Sequence, residues 1–184
     1  MEMTTVDIPP LVSRLRETLE EHRDEHALWA PEIPASGCEV RNLPAGVPHG
    51  VAELLAVVDG MHLDHSSQLF GSADLPGRQV DDSLAGAQLP DGSRLDDASV
   101  FFCFGEAAGN PLLVDQRDGS VWRVPYDGVV WYTGCRLERI ADSVRDFFTT
   151  WVVTDRFPDL AGLTPDEAAD NDWYRLLKLS SLAS

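Results

Sequence analysis

The sequence predicts an α+β fold, a single domain with a central, mostly antiparallel sheet covered by helices. Three observations carry this reading. Apolar residues recur at helical spacing near both ends of the chain, β-forming residues crowd the stretch 99–132, and no alternation of strand and helix suggests βαβ units. With 184 residues, 43% of them apolar, the chain is long enough to bury one hydrophobic core.

Pro9 and Pro10 precede Leu11, Leu15 and Leu19, a one-face spacing that predicts an amphipathic first helix running to about Leu28. Its outer face carries Glu17, Glu20, Glu21, Asp24 and Glu25, with Arg16 and Arg23 placed to offset Glu20. Residues 31–48, rich in Pro and Gly, read as a loop with one short strand near Cys38–Arg41. Val51, Leu54, Leu55 and Val58 mark a second helix, with Gly60 as its left-handed cap. Residues 72–98 hold no periodic apolar segment and read as mobile surface loop. Strands follow at 99–104, 111–115, 120–125 and 129–132, with Asp118-Gly119 as the clearest hairpin turn. Ile140, Val144, Phe147, Phe148, Trp151 and Val152 return to helical spacing behind an Asp142 or Ser143 cap. Thr164-Pro165-Asp166-Glu167 spells a capping box that opens a last helix burying Trp173, Leu176 and Leu177.

Charge bounds the function. The net charge of −17 repels nucleic-acid phosphates and anionic lipid and steers basic partners inward. It is concentrated early: eighteen acids against six bases in residues 1–100, thirteen against eight in 101–184. Solubility alone asks for a charge of only about 2–8 in a small domain. No run approaches a membrane span, and the opening MEMTTVDIPP lacks the basic and apolar parts of a signal peptide, so a cytoplasmic protein is expected. Cys38, Cys103 and Cys135 form an odd set without CxxC spacing and indicate neither a disulfide framework nor a zinc knuckle.

Four segments carry a family resemblance: LPAGVPHGVAELLAVVDG, QLFGSADL, VFFCFGEAAGNPLLVDQRDGSVWRV and RIADSVRDFFTTWVV. Their order of helix, glycine stop, strand and turn, central hairpin and closing helix resembles the SUKH superfamily, which includes bacterial toxin-immunity proteins and a fungal regulator of cell-wall synthesis. The resemblance covers residues 40–153 and divides the chain into an N-terminal helix and loop (1–39), a SUKH-like core (40–153) and a C-terminal helical extension (154–184). It implies a partner-binding fold whose members vary their exposed surfaces to meet different proteins, often cationic nuclease toxins. The long 72–98 loop and the added C-terminal helix depart from the pattern.

Catalytic patterns fare poorly. His22-Arg-Asp-Glu25-His26 spells the HxxEH pattern of inverted zinc proteases, but the sequence places no third ligand and the chain is small for such an enzyme. His62, Asp64 and His65 lack a completing ligand, and no GxSxG, GxGxxG or phosphate-loop motif is present. Cys103 lies within Val-Phe-Phe-Cys-Phe, where burial silences a thiol. Phe101, Phe102, Trp122, Phe148 and Trp151 are assigned to the core. For binding, Glu17, Glu21 and Asp24 on the first helix, Glu106 on the hairpin turn, and Asp127 beside Trp131 and Tyr132 are the candidates, a mix of acid and aromatic anchor that interfaces favour. The expectation is a non-enzymatic immunity-type protein that needs no cofactor or metal and neutralises a basic toxin, such as a nuclease, by direct binding. An intracellular adaptor or regulatory binding module without a toxin partner is the alternative.

Overall fold

Two prolines at the start of a helix leave no amide unpaired there that the helix would have used, and Pro9 and Pro10 sit in the first turn of α1 (Ile8–His22). Residues 7–126 and 131–184 are described by this computed structural model. The buried stripe of α1 is Ile8, Val12, Leu15 and Leu19, with Leu11 only half-buried at its edge. The helix stops at His22 and not near Leu28. Ala27, at φ 50°, reverses the chain, and Leu28 is fully buried. Within the turn, Arg23 donates to the carbonyls of Leu28 (3.2 Å) and Pro31 (3.0 Å), and remote residues hold the rest of it: Asp172 accepts from the Trp29 and Ala30 amides and Arg175 donates to His26 O.

The strand expected near Cys38–Arg41 is absent; Val40–Asn42 forms a 3₁₀ turn, and the Cys38 amide is taken by Leu55 O at 2.7 Å. In its place Glu32 exchanges two backbone hydrogen bonds with His62, each 3.0 Å, which covers part of the sheet edge. Helix α2 (His49–Val57) buries Val51, Leu54 and Leu55 as its spacing predicts. Gly60 does not cap it, because Val58 leaves the helix in extended conformation. Gly60 is needed for another reason: at φ 84° its Cα passes so close to the next strand that a Cβ would lie 2.6 Å from Gly71 N.

The sheet is a meander of six strands, each antiparallel to the next: β1 (Met61–His62), β2 (Gln68–Leu69), β3 (Phe101–Ala107), β4 (Asn110–Asp115), β5 (Val121–Arg123) and β6 (Glu138–Ala141). Ala108 and Gly109, both at positive φ, close the β3–β4 hairpin, as right-handed strand twist requires of a two-residue turn. Asp118 closes the next turn by accepting from Ser120 N (2.9 Å). β4 is buried along its whole length, so both of its faces are covered. The expected strand at 129–132 is not formed at its described end, where Trp131–Thr133 is a 3₁₀ turn. β6 instead occupies residues that helical spacing had claimed from Ile140. Its exposed Glu138 and Arg139 suit a short edge strand and hide its pattern.

Ser143 accepts from Asp146 N (3.1 Å) and starts α3 (Val144–Phe147), which continues as a π-helical turn, Phe148–Val152. Phe147 meets Phe104 edge-to-face at 5.6 Å and locks this helix to the sheet. The 72–98 segment is not peripheral. It contributes Leu75, Leu84, Ala87, Leu95 and Ala98 to the buried core. After α4 (Phe157–Leu160), the capping box of Thr164 and Glu167 opens α5 (Pro165–Asp170), as the sequence predicts. The single last helix is in fact two: Asn171 accepts from Tyr174 N (3.0 Å) and caps α6 (Asp172–Leu179), which buries Trp173, Leu176 and Leu177. Phe102 and Trp122, assigned to the core, are only half-buried. Among the described residues no helix is long and apolar enough to cross a membrane.

Two glycine substitutions separate conformational strain from steric contact. Gly119 (φ 77°) has open space around a Cβ, so Gly119→Ala is expected to cost about 1–2 kcal/mol. Gly60→Ala adds a backbone collision and is expected to exceed about 3 kcal/mol. Urea unfolding followed by circular dichroism measures both, and equal costs would contradict the close approach.

Candidate functional site

The acidic face of α1 follows from its buried stripe. With Ile8, Val12, Leu15 and Leu19 turned inward, Glu17, Glu20, Glu21, Asp24 and Glu25 are all exposed on the helix and the turn after it. The expected offsets do not form. Arg16 donates to Pro34 O from Nε (3.1 Å) and Nη2 (2.5 Å), and Arg23 is committed to Leu28 and Pro31. The basic groups nearest these carboxylates are imidazoles: His22 Nε2 lies 4.0 Å from Glu21, and His22 Nδ1 and His26 Nε2 lie 3.7 and 3.9 Å from Glu25. The result is a helix on which Arg16 and Arg23 are drawn to backbone carbonyls while the acids face water.

A second candidate surface is a groove of about 290 Å³ beside β3. Phe70, Arg78, Gln79, Cys103, Glu106 and Trp131 are among its lining residues. The shortness of β2 opens it: β2 pairs only with Gly105 and Glu106, which leaves the Cys103 backbone without a strand neighbour on that side. Gln79 fills the gap. Its Oε1 accepts from Cys103 N and its Nε2 donates to Cys103 O, both at 3.0 Å. Glu106 accepts from Gln68 Nε2 at 2.5 Å, and the Arg78 guanidinium lies 5.3 Å from the Phe70 ring centre. Trp131 is half-buried against the core and meets the exposed Tyr132 edge-to-face at 5.6 Å.

Of the residues singled out by sequence, Glu17, Glu21 and Asp24 therefore share one face, and Glu106 and Trp131 share the groove with Tyr132 at hand. Nothing brings the two sets together. Asp127 lies outside the described residues. Sequence reasoning missed Arg78 and Gln79, which sit in an aperiodic stretch whose only local signal is polarity. Asp64 is a structural group: it accepts from Ser66 N (2.8 Å) and from Asn171 Nδ2 (3.0 Å), while His62 and His65 are exposed.

Cys103 is buried, and loss of hydration pushes its thiol up to about 12, so it is not a nucleophile at neutral pH. No family model, curated protein or solved structure matches the chain.

The raised Cys103 value has a stability consequence. Because the folded thiol ionises later than the unfolded one, which has an ordinary value of 9.0, its contribution is complete below that pH and is lost as pH rises toward about 12. Across that window the wild-type chain is expected to lose stability faster than Cys103→Ala, by as much as about 1.4 kcal/mol per pH unit. Urea unfolding at several alkaline pH values reads the difference, and parallel curves would show the thiol to be solvated.

Proposed function

We propose that this chain is an immunity-type protein that binds and neutralises a basic protein toxin. The observation that carries the reading is the acidic face of α1, whose carboxylates have no arginine or lysine partner among the described residues. An uncompensated field of one sign accelerates encounter with a cationic surface, and speed matters when a toxin must be intercepted. A patch of carboxylates also matches the substrate groove of a nuclease, which is basic because it binds phosphates. The order of helices and meander strands is compatible with the SUKH resemblance, which adds partner binding as the family's habit. Fold by itself does not supply the function.

The groove beside β3 offers a second surface of the kind interfaces use. Trp131 and Tyr132 offer aromatic area, and Glu106 and Arg78 offer directional polar groups at its rim. A partner large enough for a standard interface of roughly 800 Å² per side need cover only one of the two surfaces.

Co-expression with toxins encoded beside this chain is expected to restore growth for the cognate one. Reversal of Glu17, Glu21 and Asp24 to Lys is expected to lower the association rate at least about tenfold at low salt, with the difference shrinking as salt rises. Rescue and rate that survive the reversal would defeat the electrostatic reading. Rescue by no neighbouring toxin, with the gene in a housekeeping context, would favour an adaptor.

A further inference from the structure

The turn that ends α1 gathers three side chains that the binding reading leaves unused. His22 is the last residue of the helix, and His26 N still donates to His22 O (3.0 Å), so the helical i, i+4 relation persists one turn beyond the helix end. That relation puts the two imidazoles side by side, with ring centres 5.5 Å apart. Glu25 lies between them. One of its oxygens is 3.7 Å from His22 Nδ1 and the other 3.9 Å from His26 Nε2. One ligand atom from each of the three residues can be chosen so that all lie within 4.8 Å of one another.

His22 Nδ1 is an anomaly in its own right. It is shielded from solvent and makes no hydrogen bond, the single buried side-chain nitrogen or oxygen among the described residues in that condition. A polar atom in such a place is costly unless something occupies the space in front of it. What lies in front of it is the Glu25 carboxylate, beyond hydrogen-bonding distance.

We propose that His22, Glu25 and His26 form a binding site for a divalent transition-metal ion of the zinc class. Two imidazoles and a carboxylate are a donor set for such ions, and hard oxygen-only cations such as calcium would not select it. Zinc holds N and O donors at about 2.0–2.2 Å, so tetrahedral ligands sit roughly 3.4 Å apart. The present separations need to close by a few tenths of an ångström to about 1.4 Å, within the reach of side-chain rotation. Glu21 stands outside the set: its carboxylate lies 4.0 Å from His22 Nε2, close enough for side-chain rotation to bring it into hydrogen bonding with that N–H when Nδ1 takes the metal. The fourth coordination position is left to water or to a donor from a partner.

The backbone that carries the ligands is already fixed. Arg175 of α6 donates to His26 O (2.6 Å), Asp172 accepts from the Trp29 and Ala30 amides (2.9 and 3.0 Å), and Arg23 bridges the turn from within. The acids around the turn add attraction for a cation. The arrangement differs from an inverted zinc protease, since Glu25 sits between the imidazoles as a ligand and is not held apart as a base. This inference is independent of the proposed toxin-binding role.

Titration of the full, chelator-stripped chain with zinc chloride by calorimetry tests the site. One ion per chain is expected, with affinity reduced at least about tenfold in His22→Ala and in His26→Ala and unchanged in Cys38→Ser and Cys135→Ser. Far-UV circular dichroism confirms that each variant is folded. Because His22→Ala alters the turn itself, the visible spectrum of the wild-type chain with cobalt(II) provides a second measurement: tetrahedral nitrogen and oxygen coordination supports the site. Absence of saturable one-to-one binding, binding that survives His22→Ala/His26→Ala, or a sulfur charge-transfer band would each overturn it.

Discussion

The surface on which the functional reading rests depends on how the C-terminal helix holds the chain as it leaves α1. Asp172 accepts from two consecutive amides, Trp29 and Ala30, and Arg175 donates to the carbonyl of His26. These are charge-assisted bonds to backbone groups, each worth about 1.5–3 kcal/mol, and they span more than 140 residues of sequence. They do what a continued helix would have done for the same backbone. Asn171, at the head of the same helix, donates to Asp64 and ties it to the β1–β2 turn. Both terminal segments thus share one core with the central residues, and Trp173, fully buried with its indole N–H on Val152 O (2.8 Å), anchors the arrangement.

That geometry also sorts the charge. Part of the chain's acidity is architectural: Asp64, Asp91, Asp97 and Asp118 each accept from the amide of a serine two residues on. In Asp91, Asp97 and Asp118 the serine bonds hold the carboxyl below its ordinary range. Many arginines are likewise engaged in structure. Arg123 and Arg156 lie over the Trp151 ring, at 4.9 and 3.6 Å from its centre, and Arg16 and Arg23 hold backbone carbonyls. The carboxylates of α1 do neither kind of work, and this is what distinguishes them within a net charge of −17.

The groove at β3 is a product of the same accounting applied to a strand. β2 ends after two paired residues, and Gln79 supplies from its side chain the donor and acceptor that a longer neighbouring strand would have offered. That backbone is satisfied without a longer β2, which leaves Glu106 and Trp131 on an accessible concave surface. The thiol of Cys103 is enclosed by the same packing.

The sequence by itself determined what is encoded within a few residues. The Thr164–Glu167 capping box, the Asp118-Gly119 turn, the Ser143 cap and the apolar spacing of α2 are each local, and each is found in the structure. The α+β class and the acidic outer face of α1 followed from such signals, because side-chain periodicity needs no knowledge of the partner surface. Tertiary structure alone decided where α1 stops, since Asp172 and Arg175 are remote. It decided that Arg16 and Arg23 turn away from Glu20, that Gly60 serves a close approach to Gly71 and not a helix cap, and that β6 takes the first residues of a segment with helical spacing. It also placed Glu25 between two imidazoles and the Gln79 amide on the Cys103 backbone. In every such case the deciding partner for a backbone group or a charge comes from a distant segment, and local propensity yields to it.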